Sequence, residues 1–213
     1  MMELTQNGKD KSGKSNVNII ISGVGGQGLI TLAKVIANAC LNANMNVLVS
    51  EVHGMAQRGG SVEVHVRIGN VNSPLVPFGM ADLVLAMEPV EGLRCAKYMD
   101  KSRSTVIINT QPIIPPIVNM GLAKYPSLNE ILHELAKIAK EVYFFDASKL
   151  AEKIGYPQVV NTIVLGSALK LEKFPFTYED AIVAISKIFP EKIQEINIKA
   201  LEIGFNSRLN KVK

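Results

Sequence analysis

The sequence predicts an α/β fold: a mostly parallel sheet with helices on both faces and a β-hairpin or other antiparallel insertion. Three observations carry this. Short apolar runs of strand length alternate with stretches of helical period along the whole chain. A glycine-rich turn joins the first such run to the first helix. Residues Ser61 to Ile68 alternate strictly, Val62, Val64, Val66 and Ile68 against Ser61, Glu63, His65 and Arg67. A period of two marks a strand with one wet face, which a fully covered parallel sheet does not supply.

Val17 to Ser22 reads as the first buried strand, and a helix follows from Leu29 to Ala43. Leu29, Leu32, Ile36, Ala39 and Cys40 share one face of that helix, so Cys40 is expected in the core. Asn46 to Glu51 is the second strand and Ser61 to Ile68 the third, with Gly69-Asn70 expected to turn a hairpin after it. Further strands are expected at Asp82–Met87, Thr105–Asn109 and Val142–Phe145, separated by helices at Val90–Met99 and Ser127–Lys140. Ser127 with Glu130, and Thr177 with Asp180, have the spacing of capping boxes. Gln111–Pro116 is a loop, because its prolines lack the donors of a helix or ladder. A short helix after Asp146 closes at Gly155, and Val159–Leu171 and Ala181–Phe189 read as helical. Pro190–Arg208 is apolar on two faces, Ile193, Ile196, Ala200 and Ile203 on one, Ile198, Leu201 and Phe205 on the other. Such a helix lies deep in a core or is clamped between two surfaces, one of them a partner's.

The 213 residues suit one domain, divided as a polar disordered tail (1–16), an α/β body (17–189) and a C-terminal helix with a basic tail (190–213). The net charge of +4 belongs to the ends. Lys9, Lys11 and Lys14 outweigh Glu3 and Asp10 at one end, and Arg208, Lys211 and Lys213 stand unopposed at the other, leaving a neutral body. A pI near 9.0 is therefore no argument for nucleic acid. The absence of a long apolar run argues against a membrane span, and the absence of a signal-peptide core points to the cytoplasm. Two cysteines without C-x-x-C spacing exclude a disulfide framework and a cluster held by four thiolates. His65, on the polar face of its strand, and His133, on an exposed helix face, have no second ligand at metal spacing, so no metal site is expected.

Gly23-Val24-Gly25-Gly26-Gln27-Gly28 stands between strand and helix, where glycines permit a tight turn and free amides favour a phosphate. Glu51, 23 residues past Gly28 at the end of the next strand, is placed to bind a ribose hydroxyl, as in a Rossmann-like dinucleotide site. Gln27 and the double glycine are unusual there. The next loop, His53-Gly54-Met55-Ala56-Gln57-Arg58-Gly59-Gly60, gathers an imidazole, an amide and a guanidinium between glycines. Arg58 offers a fork of donors to a carboxylate, a phosphate or a partner's backbone, or else a surface ion pair; His53 is a general base or a loop anchor.

The glycine turn, the run Ser50-Glu51-Val52-His53-Gly54-Met55-Ala56-Gln57-Arg58-Gly59-Gly60-Ser61-Val62 and Asn161-Thr162-Ile163-Val164-Leu165-Gly166 resemble gamma-type subunits of 2-oxoacid:ferredoxin oxidoreductases. Among these they are most similar to the small (beta) subunits of the indolepyruvate type, over about residues 17–189. The resemblance implies one component of a complex that decarboxylates an aryl 2-oxoacid, passes the acyl group to coenzyme A and reduces ferredoxin. It places thiamine diphosphate, magnesium and 4Fe–4S clusters on a larger partner, with no catalytic residue and no tightly bound cofactor on this chain. Coenzyme A is then the co-substrate held near Gly25–Gly28, with His53, Gln57 and Arg58 facing the partner's cleft and Asn161 helping to anchor the helix against the nucleotide cleft. Two other readings stay open on the residues: a stand-alone NAD- or FAD-binding oxidoreductase, and a non-catalytic scaffold.

Overall fold

The computed structural model describes residues 16–53 and 60–212. Its strands are β1 (Val17–Val24), β2 (Val47–His53), β3 (Ser61–Ile68), β4 (Leu83–Ala86), β5 (Thr105–Asn109), β6 (Glu141–Phe145) and β7 (Asn210–Lys211). They form one sheet in the order β2-β3-β1-β4-β5-β6-β7. β1, β4, β5 and β6 run parallel, while β3 is antiparallel to both its neighbours and β7 to β6. The period of two along the strands divides the core. Ile19, Ile21, Leu83, Leu85 and Ile107 point to one face, and Ile20, Val84, Ala86, Val106 and Ile108 to the other.

The first face is covered by α1 (Leu29–Asn42), α5 (Ala147–Ile154), α6 (Val160–Leu169), α7 (Tyr178–Ile188) and α8 (Glu191–Asn206). The second carries α2 (Pro89–Arg94), a 3-10 turn at Cys95–Tyr98 and α4 (Leu128–Ile138), with a short α3 (Pro116–Asn119) between β5 and α4. Both capping boxes form: Ser127 and Glu130 start α4, Thr177 and Asp180 start α7. Cys40 and Cys95 are buried, and burial pushes both thiols up to about 12. α6 is buried on every side after Val160, and α8 lies across it. Ala200, Leu201 and Gly204 are buried there, and Ile196 and Ile198 pack on the same core. Most of the apolar surface of α8 is thus packed within the domain, sharing its core through Ala200 and Leu201, while Ile193 and Phe205, one from each predicted face, remain exposed.

Two expectations need correction. The hairpin made by β3 joins it to β2, before it, and not to a strand after Gly69-Asn70. At that point β3 ends, because the Asn70 N–H donates to Asn16 Oδ1 (2.9 Å) and the Gly69 N–H to the Asn46 carbonyl (2.9 Å). After α8 the chain returns to the sheet as β7, with Lys211 Nζ 2.8 Å from Glu141 Oε1. The polar face of β3 is not wet. Residues 71–81, α2 and the 3-10 turn cover it, and each polar side chain finds a partner in the cover. Ser61 donates to Glu91, and Glu63 accepts from Lys97 (3.2 Å) and Tyr98 (3.0 Å). Arg67 donates to Asn18 (2.8 Å) and the Ser73 carbonyl (2.9 Å).

His65, 1% exposed, accepts the Val76 N–H on Nδ1 at 3.0 Å and meets Tyr98 edge to face. Burial holds its pKa below the usual 6.5, Glu63 opposing and Lys97 reinforcing. Below pH 6.5 the unfolded chain therefore takes up a proton that the native chain refuses. This contribution to stability is complete above pH 6.5 and is lost as the pH falls toward the native pKa, at up to about 1.4 kcal/mol per pH unit. Urea unfolding between pH 8 and 5.5 should show that loss in the wild type and a smaller one in His65→Gln, whose amide oxygen can still accept from Val76. Equal losses in both proteins would remove His65 as the cause.

Candidate functional site

A crevice opens where neighbouring parallel strands send their helices to opposite faces. β1 leads into α1 on the first face, and β4 beside it leads into α2 on the second. The glycine turn sits at the carboxyl end of β1 and forms one lip of this crevice. Its centre is tied by Gln27, whose Oε1 accepts the Val24 N–H (2.7 Å) and whose Nε2 donates to the Met87 carbonyl at the end of β4 (3.0 Å). A side chain at Gly23 would stand 2.5 Å from Gln27 Oε1, so the glycine makes room for this bridge. Asn109, ending β5, donates to the same Met87 carbonyl (3.0 Å) and to Ser148 Oγ (3.0 Å), and accepts the Ala147 N–H (3.0 Å) at the start of α5. One hydrogen-bonded chain thus fixes the ends of β1, β4 and β5 relative to one another.

Gly28 caps α1 in the left-handed region (φ 74°), and its carbonyl accepts from Asn161 Nδ2 at 2.9 Å. A Cβ there would lie 2.5 Å from that nitrogen. Among the described residues the N–H groups of Gly26 and Gly28 meet no acceptor, while the Gly25 N–H donates to the Gly60 carbonyl (2.9 Å). Two cavities flank the turn, and Gly26 and Gln158 line both. The larger, about 360 Å³, is walled by apolar groups of Val159, Phe189, Ile193 and Ile196, with Thr31, Asn161 and Asn197 as polar points. The smaller, about 280 Å³, lies toward the crevice between Gln27, Gln111, Ile113 and Ser148. Free amides at a helix start favour an anion such as a phosphate, and here they lie between a mainly apolar chamber and a smaller slot with a larger polar share.

The sequence-predicted residues are only partly brought together. Gly23, Gly25, Gly26, Gln27, Gly28 and Asn161 meet at the crevice. Gly60 joins them through Gly25, and His53 ends β2 opposite Val62. Gly54, Met55, Gln57, Arg58 and Gly59 lie outside the described residues. Glu51 does not reach the turn. β3 stands between β2 and β1, so Glu51 is exposed two strand spacings, about 10 Å, from β1, where a Rossmann site would have β2 alongside. Among the described residues no cluster of three or more metal-binding side chains occurs. No helix among them is long and apolar enough to cross a membrane.

Sequence reasoning missed Glu88, a buried carboxylate at this edge that accepts from three donors. It caps α2 by accepting the Glu91 N–H (2.9 Å), and its other oxygen accepts from the Ile113 N–H (3.3 Å) and from the Tyr125 hydroxyl. Burial, then Glu88 itself, holds the Tyr125 hydroxyl protonated far above the usual range. Next to it Glu91 is also buried, and burial raises its pKa against the pull of Ser61 and Arg94. The available signal was a glutamate directly before a proline at the end of an apolar run.

A family model described as pyruvate ferredoxin/flavodoxin oxidoreductase matches residues 18–207. The indolepyruvate oxidoreductase subunit IorB of Archaeoglobus fulgidus is 47% identical over 194 residues, 91% of this chain and 96% of the relative. Among solved structures, a pyruvate oxidoreductase subunit of Thermotoga maritima shares the fold with a TM-score of 0.69 at 19% identity, over 94% of this chain and 100% of that one. The 2-oxoglutarate:ferredoxin oxidoreductase of Magnetococcus marinus, solved with 2-oxoglutarate, coenzyme A and succinyl-CoA bound, aligns with a TM-score of 0.68 at 19% identity. That alignment covers 90% of this chain but only 31% of the other. With its switch-point crevice and glycine turn, the chain belongs to the pyruvate ferredoxin/flavodoxin oxidoreductase family, as an oxidoreductase subunit of the gamma type.

Proposed function

We propose that this chain is the small, non-thiamine subunit of a cytoplasmic indolepyruvate-type 2-oxoacid:ferredoxin oxidoreductase. The complex converts an aryl 2-oxoacid and coenzyme A to the acyl-CoA and carbon dioxide, and the two electrons released go to ferredoxin. The carrying observation is the glycine turn held rigid between two cavities, in a chain 47% identical to an indolepyruvate oxidoreductase subunit. Thiamine diphosphate, magnesium and the clusters belong to the larger subunit, which supplies the carbanion and electron chemistry. Both thiols of this chain are buried and fully protonated at neutral pH, unsuited to hold iron. Its own residues bind and orient. The Gly26 and Gly28 amides face the phosphates of coenzyme A, the two cavities receive its ends, and Arg58, with His53 and Gln57, closes the edge toward the partner.

The exposed position of Glu51 weighs against the stand-alone NAD or FAD enzyme, because the ribose partner is out of reach. Calorimetry of coenzyme A on the assembled complex tests the reading. Gln158→Trp, at an exposed position lining both cavities, should weaken binding at least tenfold without unfolding the chain. Arg58→Ala should lower turnover by a similar factor while assembly persists. Unchanged coenzyme A affinity in Gln158→Trp would remove the glycine turn from the binding site and favour the scaffold.

A further inference from the structure

We infer that residues 111–123, between β5 and α4, are the face on which the larger catalytic subunit docks; this rests on the proposed function above. The thirteen residues QPIIPPIVNMGLA contain no charge, in a chain where 20% of residues are charged. Ile113, Ile114, Ile117, Met120 and Leu122 are all exposed, Met120 at 71% and Leu122 at 74%. Contiguous apolar surface of this kind marks an interaction site, since a spacer loop would carry polar side chains.

The segment is also held in one shape. Pro115 and Pro116 fix its backbone at the start of α3, and the N–H groups of Met120, Gly121 and Leu122 donate back to Pro116 (3.0 Å), Val118 (2.9 Å) and Ile117 (3.1 Å). The carboxylate of Glu88 grips it at both ends, through the Ile113 N–H and the Tyr125 hydroxyl. Apolar side chains on a preorganised frame lose little conformational freedom on docking, which is what a stable interface requires.

Position selects the occupant. Gln111 and Ile113 wall the 280 Å³ slot beside the glycine turn, so a body seated on 111–123 would roof that slot. The acyl group must reach coenzyme A from the thiamine centre, and only the subunit carrying that centre has reason to close this edge. A second copy of this chain would bring together two glycine turns and no thiamine. In the Magnetococcus marinus enzyme a unit of this fold is 31% of one longer chain, so there another part of the same polypeptide accompanies it.

The test uses the tagged full chain co-expressed with its larger subunit. Ile117→Asp/Leu122→Asp should keep the wild-type circular dichroism and unfolding midpoint, yet retain at least tenfold less of the thiamine- and cluster-bearing subunit. Phe78→Asp is the control: Phe78, 73% exposed against Tyr98 on the α2 face, should leave retention unchanged. Wild-type retention by the double variant overturns the docking face. So does a wild-type homodimer that the double variant dissolves while capture of the larger subunit persists. A wild-type chain that captures no thiamine-bearing subunit fails earlier, and overturns the proposed function together with the surface.

Discussion

Replacing Gly204 by alanine should destabilise the chain by about 3 kcal/mol or more, at the upper end of what overpacking costs. A Cβ at Gly204 would lie 2.0 Å from the Ile163 carbonyl oxygen, and one at Gly166 would lie 2.1 Å from the Leu201 carbonyl oxygen. Both obstacles are helix backbone, which cannot rotate away as a side chain would. α6 and α8 therefore touch backbone to backbone, and a methyl group forces them apart. The separation would reach further, because Ile163, Val164 and Leu165 on α6 and Ala200 and Leu201 on α8 are fully buried in the same core. Cavities opened along that seam add to the loss. For a chain of this length each kcal/mol corresponds to roughly 2–4 °C of melting temperature, so a fall on the order of 10 °C is expected by calorimetry. The two glycines should not act independently. Once one methyl has displaced α8, the second meets a gap already widened, and Gly166→Ala/Gly204→Ala should cost clearly less than the sum of the single changes. Additive costs would mean that the helices adjust locally at each contact.

The same pair shows where sequence reading reached and where it stopped. The run Asn161–Gly166 stood out in the sequence, and Val159–Leu171 around it read as helical. That Gly166 answers Gly204 depends on two helices crossing 38 residues apart, which no local pattern records. Strand positions were legible because Val-Ile-Leu runs of four to eight residues between glycines and prolines have few other solutions. Strand order was not. The alternation in β3 revealed one polar face but not that β3 would enter between β1 and β2, and that insertion is what moves Glu51 out of the site. The polar face itself misled for a physical reason. Period-two alternation signals two environments, and water is only the commoner of the two; here the second is a cover of residues 71–81 that satisfies Arg67 and His65 with backbone groups. The glycine turn was legible as a tight turn between β1 and α1. The role of Gln27 was beyond reach, since its bridge ends on Met87, 60 residues away.

Glu88→Ala should release the stretch from Ile113 to Tyr125 and cost on the order of 3 kcal/mol. Three donors lose their acceptor at once: the Glu91 N–H inside the first turn of α2, the Ile113 N–H and the Tyr125 hydroxyl. Loss of a helix cap accounts for about 1 kcal/mol, and hydrogen bonds to a charged group are worth about 1.5–3 kcal/mol each. Some of that returns as water enters the vacated space. Glu88→Gln separates charge from geometry. Its amide oxygen can still accept from Ile113 and Tyr125, but its NH2 group then faces the Glu91 N–H, donor against donor. The expected order of stability is wild type, then Gln, then Ala. The more telling measurement is local. Amide exchange across 113–125 should quicken strongly in Glu88→Ala while β1, β4 and β5 stay protected, because their ends are joined by Gln27 and Asn109 without Glu88. If exchange across 113–125 matched the wild type, the prolines and the turn at Pro116–Leu122 alone would hold the segment. The carboxylate would then be only the cap of α2. A loosened segment should also lose its preorganised apolar surface, so Glu88→Ala is expected to weaken capture of the larger subunit without altering any side chain of the docking face.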